Sequence, residues 1–299
     1  MTPESFVLAT LAAAFTAGAG IIWLAGLSPR YRAATGELWA LYRSEFAIVG
    51  SLLVPGALGG WFFAAFLLAL VRRGQFEIDR LFHVPALGAL SAVVMGGGLA
   101  IVVFATLGNF LFVIAAFLLA CIIVAVFGLV SEKRQHRLRR TAVALATLAV
   151  PALLAAAIAG LRGGENGFLW LFTVYATVEI ADAFALVTGK LFGRTRIFPQ
   201  LSPKKTAEGT AGGFILGAGA GYVLAHYLLG LEPLPALGLA AVILMAGLAG
   251  DLLTSAVKRW RKAKDFATVL KLHGGVMDIY ESFLLAGPAV FLLRPLLAA

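Results

Sequence analysis

The sequence holds very little cysteine and very little charge. Its single cysteine, Cys121, lies inside an apolar run, so no disulfide framework exists. Charged residues make up 13% of 299 positions, hydrophobic ones make up 61%, and the mean hydropathy is +0.95. No soluble domain has such a composition. The apolar runs do not alternate polar with apolar residues, which argues against the strands of a membrane barrel. No linker, soluble domain or convincing internal repeat interrupts the chain. The start, MTPESF, lacks the basic leader of a cleaved signal peptide, so the first apolar run is expected to remain as a span.

What is present in abundance is apolar sequence long enough to cross a hydrocarbon core, which takes about 20 residues of helix. The runs fall at approximately 5–27, 46–71, 84–106, 109–131, 142–161, 167–189, 211–231, 234–254 and 276–297. The expected fold is therefore an all-α, polytopic membrane helix bundle with about nine transmembrane helices. It forms one integral unit, with amino-terminal helices over 1–140 and a carboxyl-terminal region, 141–299, that carries the chemistry.

Lys and Arg number 24 against 15 Asp and Glu, and they gather in SEKRQHRLRR at 131–140, GKLFGRTRIFPQLSPKK at 189–205 and KRWRKAK at 258–264. Such loops face the cytoplasm. Nine spans then put the amino terminus inside and the carboxyl terminus outside, leaving Arg30, Arg32 and Arg43 on an outer loop against the same rule. Topology and anionic lipid head groups account for the basic loops, so no nucleic acid is expected.

The first half offers little chemistry. Gly56, Gly59, Gly60 and the triplet Gly96 to Gly98 read as small residues that let helices approach closely. His136 in a basic run and His226 in an apolar helix read as solvated and packed side chains, not metal ligands.

From Glu179 onward, ionisable residues appear inside or at the edges of spans, where each is costly unless paired, metal-bound or facing water. Glu179 and Asp182 share a helix face. PQLSPKKTAEGTAGG at 199–213 combines a helix break at Pro203, two lysines and a glycine-rich helix start, a pattern that fits either a phosphate site or a plain topology signal. AGDLLTSAVKRWRKAKDF at 249–266 sets Asp251, Ser255, Lys258 and Arg259 on one helical face, running from a buried carboxylate to a basic rim. Trp260 reads as an interfacial anchor. KLHGGVMDIYES at 271–282 places His273, Gly274 and Gly275 before a span whose first turns bear Asp278, Glu281 and Ser282. Two carboxylates there suit a cation that binds together with phosphates, or else acidic residues in a helix's first turn.

SPKKTAEG at 202–209, and S-A-V-K-R-x4-K-D-x-A-x2-L-x2-H-G-G-x2-D from Ser255 to Asp278, resemble the CDP-diacylglycerol synthases, the phosphatidate cytidylyltransferases. ADAFALVTGKLFGR at 181–194 is similar to that family's aspartate-containing segment. The resemblance covers approximately 170–290. It implies condensation of CTP with phosphatidate, or a related lipid phosphate, to CDP-diacylglycerol and pyrophosphate. It also implies magnesium, alone or with a second cation, in a site of the cell (inner) membrane facing the cytoplasm. The expected partners are CTP, the lipid phosphate, membrane lipids and a second copy of the chain as a homodimer.

By the resemblance, Asp251 and Asp278 look like metal-binding carboxylates, with Asp182, Glu281 and Asp265 in support. Lys204, Lys205, Lys258, Arg259 and Lys264 look like phosphate-facing cations, and Ser202, Ser255 and His273 like lesser contacts. Glycine at 274 and 275 should let backbone amides approach a phosphate. Two positions depart from the pattern: D-R-x-D becomes Asp278-Ile279-Tyr280-Glu281, and the usual proline before the histidine segment is Lys271, which could restore the missing charge. A CTP-dependent lipid-alcohol kinase and a non-catalytic membrane paralogue or transporter remain the alternatives.

Overall fold

The computed structural model describes residues 2–27, 32–84, 88–132, 134–270 and 272–297. Among them the fold is entirely helical: α1 (Pro3–Leu27), α2 (Arg32–Leu58), α3 (Gly60–Leu81), α4 (Ala89–Thr106), α5 (Phe110–Ser131), α6 (Arg137–Thr147), α7 (Leu153–Arg162), α8 (Gly167–Phe192), α9 (Ala207–Leu229), α10 (Pro233–Trp260), α11 (Val276–Ile279) and α12 (Phe283–Leu297). Within these residues, Pro3–Leu24, Ala89–Thr106, Phe110–Ser131, Arg137–Arg162, Gly167–Phe192, Ala207–Leu229 and Pro233–Trp260 are long and apolar enough to cross a membrane. The chain is an integral membrane protein, and large side chains such as Leu111, Ile215 and Leu292 are exposed on its flanks.

Three expected spans are not single helices. The run at 46–71 is cut by Gly59, whose φ of +66° no helix accommodates, so α2 and α3 form two legs. The run at 142–161 passes through a π-helical turn, Leu148–Ala152, which holds Pro151. Proline has no N–H and crowds the carbonyl four residues back, and the wider turn relieves both problems. The run at 276–297 divides into α11 and α12.

The extra leg changes the expected sidedness. The three basic stretches meet at one end of the bundle: Arg139 reaches the Phe82 carbonyl, Arg261 Nε donates to Leu81 O at 3.3 Å, and Arg259 Nε donates to Leu201 O at 3.2 Å. The start of α1 lies at the other end, where Glu4 is in electrostatic range of Arg162, and α12 finishes there as well, with Arg294 on the Leu161 and Gly163 carbonyls. Both ends of the helix series therefore lie opposite the basic loops, and α2 begins on the basic side. This removes the conflict for Arg43, which α2 carries; Arg30 and the side chain of Arg32 lie outside the described residues.

α8 and α9 pack closely because Gly209, Gly213, Gly217 and Gly221 recur every fourth residue along the contact. A methyl group on Gly213, for example, would fall 2.6 Å from Ala181 O. Gly56, Gly97 and Gly98 have the expected packing role, while Gly60 and Gly96 face open space. His226 is packed as expected, stacked on Tyr222 and bonded through Nδ1 to Leu231 O at 2.7 Å.

Candidate active site

The site forms at the basic end, where α8, α9 and α10 meet the loop leading into α11. The last turns of α10 carry Asp251, Ser255 and Lys258, all less than a tenth exposed. Their spacing of four and three residues puts them on one face. Ser255 Oγ donates to Asp251 Oδ1 at 3.3 Å.

Lys205 reaches this face from the connection between α8 and α9. Thr206 caps α9 by accepting from Gly209 N at 3.1 Å, and Glu208 accepts from the Arg194 and Thr195 amides at 3.0 and 3.2 Å. Ala207 N donates back to Thr195 O at 2.8 Å. The folded connection delivers Lys205 into an ion pair with Asp251. Lys204, one residue earlier, is exposed and its side chain has no hydrogen bond or ion pair among the described residues. Ser202 contributes through its backbone, accepting from Lys205 N at 3.1 Å.

Lys258 makes the second ion pair. Its Nζ lies 2.7 Å from Asp278 Oδ1 and 3.1 Å from Glu281 Oε2, and Thr254 Oγ1 also donates to Glu281 Oε2 at 2.7 Å. Asp278 Oδ2 accepts from Phe266 N at 2.8 Å and from Gly275 N at 2.9 Å. Both oxygens of the carboxylate expected to face a metal are therefore engaged by the protein itself.

The HGG turn departs from expectation. The amides expected to meet a phosphate have partners within the protein: His273 N and Gly274 N donate to Leu270 O at 3.1 and 2.9 Å, and Gly275 N to Asp278; just beyond the turn, Val276 N and Met277 N donate to Glu77 of α3 at 2.8 and 2.9 Å. The glycines permit this close approach. Gly274 has φ +88°, and a methyl there would fall 2.6 Å from Asp278 Oδ2. His273 points to α2, with Nε2 3.0 Å from Glu45 Oε1.

Other expected site residues lie away from this cluster. Arg259 shares α10 but is taken up by the Leu201 and Ala263 carbonyls, which ties two loops together. Lys264 and Asp265 are exposed, and Asp265 sits on the rim of an open groove with Arg80, Arg261 and Lys262. Lys271 lies outside the described residues. Asp182 opens onto a small, partly open cavity between α8, α9 and α10 that Lys205 and Ser282 also line; the remaining wall is largely apolar, including Val178, Phe214 and Leu244.

Lys205 and Lys258 thus face four carboxylates, Asp182, Asp251, Asp278 and Glu281. Asp251 and Asp278 are largely buried and each already has an ammonium partner, whereas Asp182 is exposed and Glu281 half-buried. Among the described residues no three His, Cys, Asp or Glu side chains converge to hold a metal unaided.

Sequence reading missed the residues that the first half contributes: Glu45, Ser51, Arg73 and Glu77. Ser51 Oγ lies 2.7 Å from the hydroxyl of Tyr280, between Asp278 and Glu281 in sequence. One signal was present, the charged run RRGQFEIDR at 72–80 directly after an apolar stretch.

The chain is thus an all-helical integral membrane bundle with two carboxylate–ammonium pairs at its basic end, one of which, through Lys205, borders a mostly apolar cavity. The sequence profile of the cytidylyltransferase family matches residues 40–297, and the chain belongs to that family. The match begins well inside the half that motif reading left unassigned. Similar proteins include the phosphatidate cytidylyltransferases of Mycobacterium tuberculosis H37Rv (35% identical over 133 residues, 44% of this chain and 40% of that one) and of Bacillus subtilis 168 (34% over 137 residues, 44% and 49%). That of Thermotoga maritima is 30% identical over 187 residues, 58% of this chain and 66% of that one. The chain thus matches about half the length of these curated relatives.

Proposed function

We propose that the chain is a CTP:phosphatidate cytidylyltransferase, forming CDP-diacylglycerol and pyrophosphate. The observation that carries this reading is the pair of ammonium groups, Lys205 on Asp251 and Lys258 on Asp278, at the basic end of the bundle, with Lys205 also lining a mostly apolar cavity. The apolar wall beside Lys205 is of the kind that an acyl chain would lie against while its phosphate meets the ammonium.

A phosphate monoester is itself an anionic nucleophile, so no serine or cysteine is required. A lipid phosphate oxygen forms a bond to the α-phosphorus of CTP, the bond from that phosphorus to the bridging oxygen of the β-phosphate breaks, and pyrophosphate leaves with the electron pair. Lys205 orients the lipid phosphate, and Lys258 faces the nucleotide phosphates. Asp251 fixes Lys205, while Asp278 and Glu281 fix Lys258. Holding two polyanions in line against these cations supplies most of what the reaction needs.

Asp251 would meet a magnesium ion that arrives already held by the nucleotide phosphates. When bound, the ion neutralises phosphate charge. The site faces the cytoplasm at the cell membrane, a reading supported by the basic loops at this end.

Purified protein with magnesium, labelled CTP and phosphatidate should yield a CDP-lipid in the lipid phase and pyrophosphate in the aqueous phase. CDP and a lipid phosphate, formed from a lipid alcohol, would instead identify a kinase. Absence of any CTP turnover on several lipid phosphates would reject both readings.

A further inference from the structure

Glu77 is a fully buried carboxylate in the half of the chain to which motif reading gave no chemistry. We propose that Glu77, with Arg73, is a positioning residue of the active site: it fixes the HGG loop, and through it Asp278 and Lys258. This role rests on the cytidylyltransferase reading above.

Both residues lie one turn apart on α3. Arg73 Nε donates to Glu77 Oε1 at 2.8 Å, and Arg73 Nη2 donates to Ala267 O at 2.7 Å. Glu77 in turn accepts from Val276 N at 2.8 Å and Met277 N at 2.9 Å. The two side chains therefore grip both ends of the segment 267–277, one through a carbonyl and the other through two amides. Asp278 closes the same segment from inside, with one oxygen on the amides of Phe266 and Gly275 and the other on Lys258.

The fit leaves no slack. A methyl on Gly275 would fall 2.5 Å from Glu77 Oε2, so carboxylate and loop backbone meet at a distance that only glycine allows. An ion pair with one buried member, as here, is weak evidence for stability, because an apolar replacement of similar volume often stabilises as well or better. What such a pair does supply is geometry, and the geometry it sets is that of the loop holding Asp278.

The test compares wild type with Glu77→Gln, Glu77→Ala, Gly275→Ala and the Glu77→Ala/Gly275→Ala double variant. Two measurements are made on each: amide hydrogen exchange of peptides spanning 266–282, and steady-state kinetics with CTP and phosphatidate. Glu77→Gln keeps the side chain's volume but turns an N–H₂ toward an amide donor. Exchange in the loop should quicken and kcat should fall on the order of tenfold, with KM for CTP within about threefold. Gly275→Ala should do the same alone, yet add little in the Glu77→Ala background, because the atom it strikes is gone.

Faster exchange with unchanged kcat would make the pair a purely structural contact and overturn the proposal. So would a loss of kcat with unaltered loop exchange, or fully additive effects in the double variant. Wild-type protein that is inert toward CTP and phosphatidate would instead bring down the function reading, while the exchange arm would still judge the grip on the loop.

Discussion

Lys258 and Asp278 stand twenty residues apart in sequence and 2.7 Å apart in the fold, and each is buried or nearly so. This pair joins the end of α10 to the start of α11, and Glu281 adds a second carboxylate to the same ammonium. The site is thus closed by an ion pair that also has to face substrate.

Removing the cation should show this dual role. Lys258→Met leaves Asp278 and Glu281 buried without their partner, and breaking such a pair from one side costs about 3–5 kcal/mol. Thermal unfolding in detergent should shift clearly downward, and CTP turnover should be abolished. A variant with wild-type Tm and measurable turnover would refute the assignment.

The two loop lysines should separate. Lys205→Ala removes the partner of Asp251 and should lower kcat/KM by at least about tenfold, whereas Lys204→Ala, an exposed side chain, should stay within about twofold. Initial rates at varied CTP and phosphatidate decide this, and equal losses in both variants would mean that Lys205 has no special place. Asp251→Asn should abolish turnover while folded protein is retained, because volume is kept and charge is lost.

At the altered tetrad, Asp278→Asn should be far more damaging than Glu281→Gln. Asp278 holds Lys258 and two loop amides, whereas Glu281 holds Lys258 and Thr254. Ile279→Arg should leave turnover intact or raise it. An active Asp278→Asn beside a dead Glu281→Gln would show that the register of the site is wrong.

Cavity width should control the lipid rather than the nucleotide. A methyl on Gly247 would meet Ser282 Cβ and Val178 Cγ2 at 3.6 Å, an ordinary contact, so Gly247→Ala should fold normally and narrow the cavity. KM for phosphatidate should rise by several-fold, on the order of one lost methylene contact, with KM for CTP unchanged. Gly213→Ala, which strikes a backbone carbonyl of α8, should instead reduce the yield of folded protein.

Composition and run length alone determined that this chain is a membrane protein built of helices, because hydropathy is a local property that packing cannot reverse. The motifs from Ser202 to Glu281 likewise singled out five cations, of which Lys205 and Lys258 are the two that the fold pairs with carboxylates. The tertiary structure decided everything that joins distant segments. It divided one apolar run at Gly59 and thereby moved the start of α1 to the opposite end. It gave the Gly275 amide to Asp278 and the next two amides to Glu77, directed Arg259 to loop carbonyls, and brought α3 into the site. Hydrophobic spacing names the face of a helix but not the partner that face will meet. A buried charge is therefore visible in the sequence, whereas the opposite charge that makes it tolerable is fixed by packing across two hundred residues.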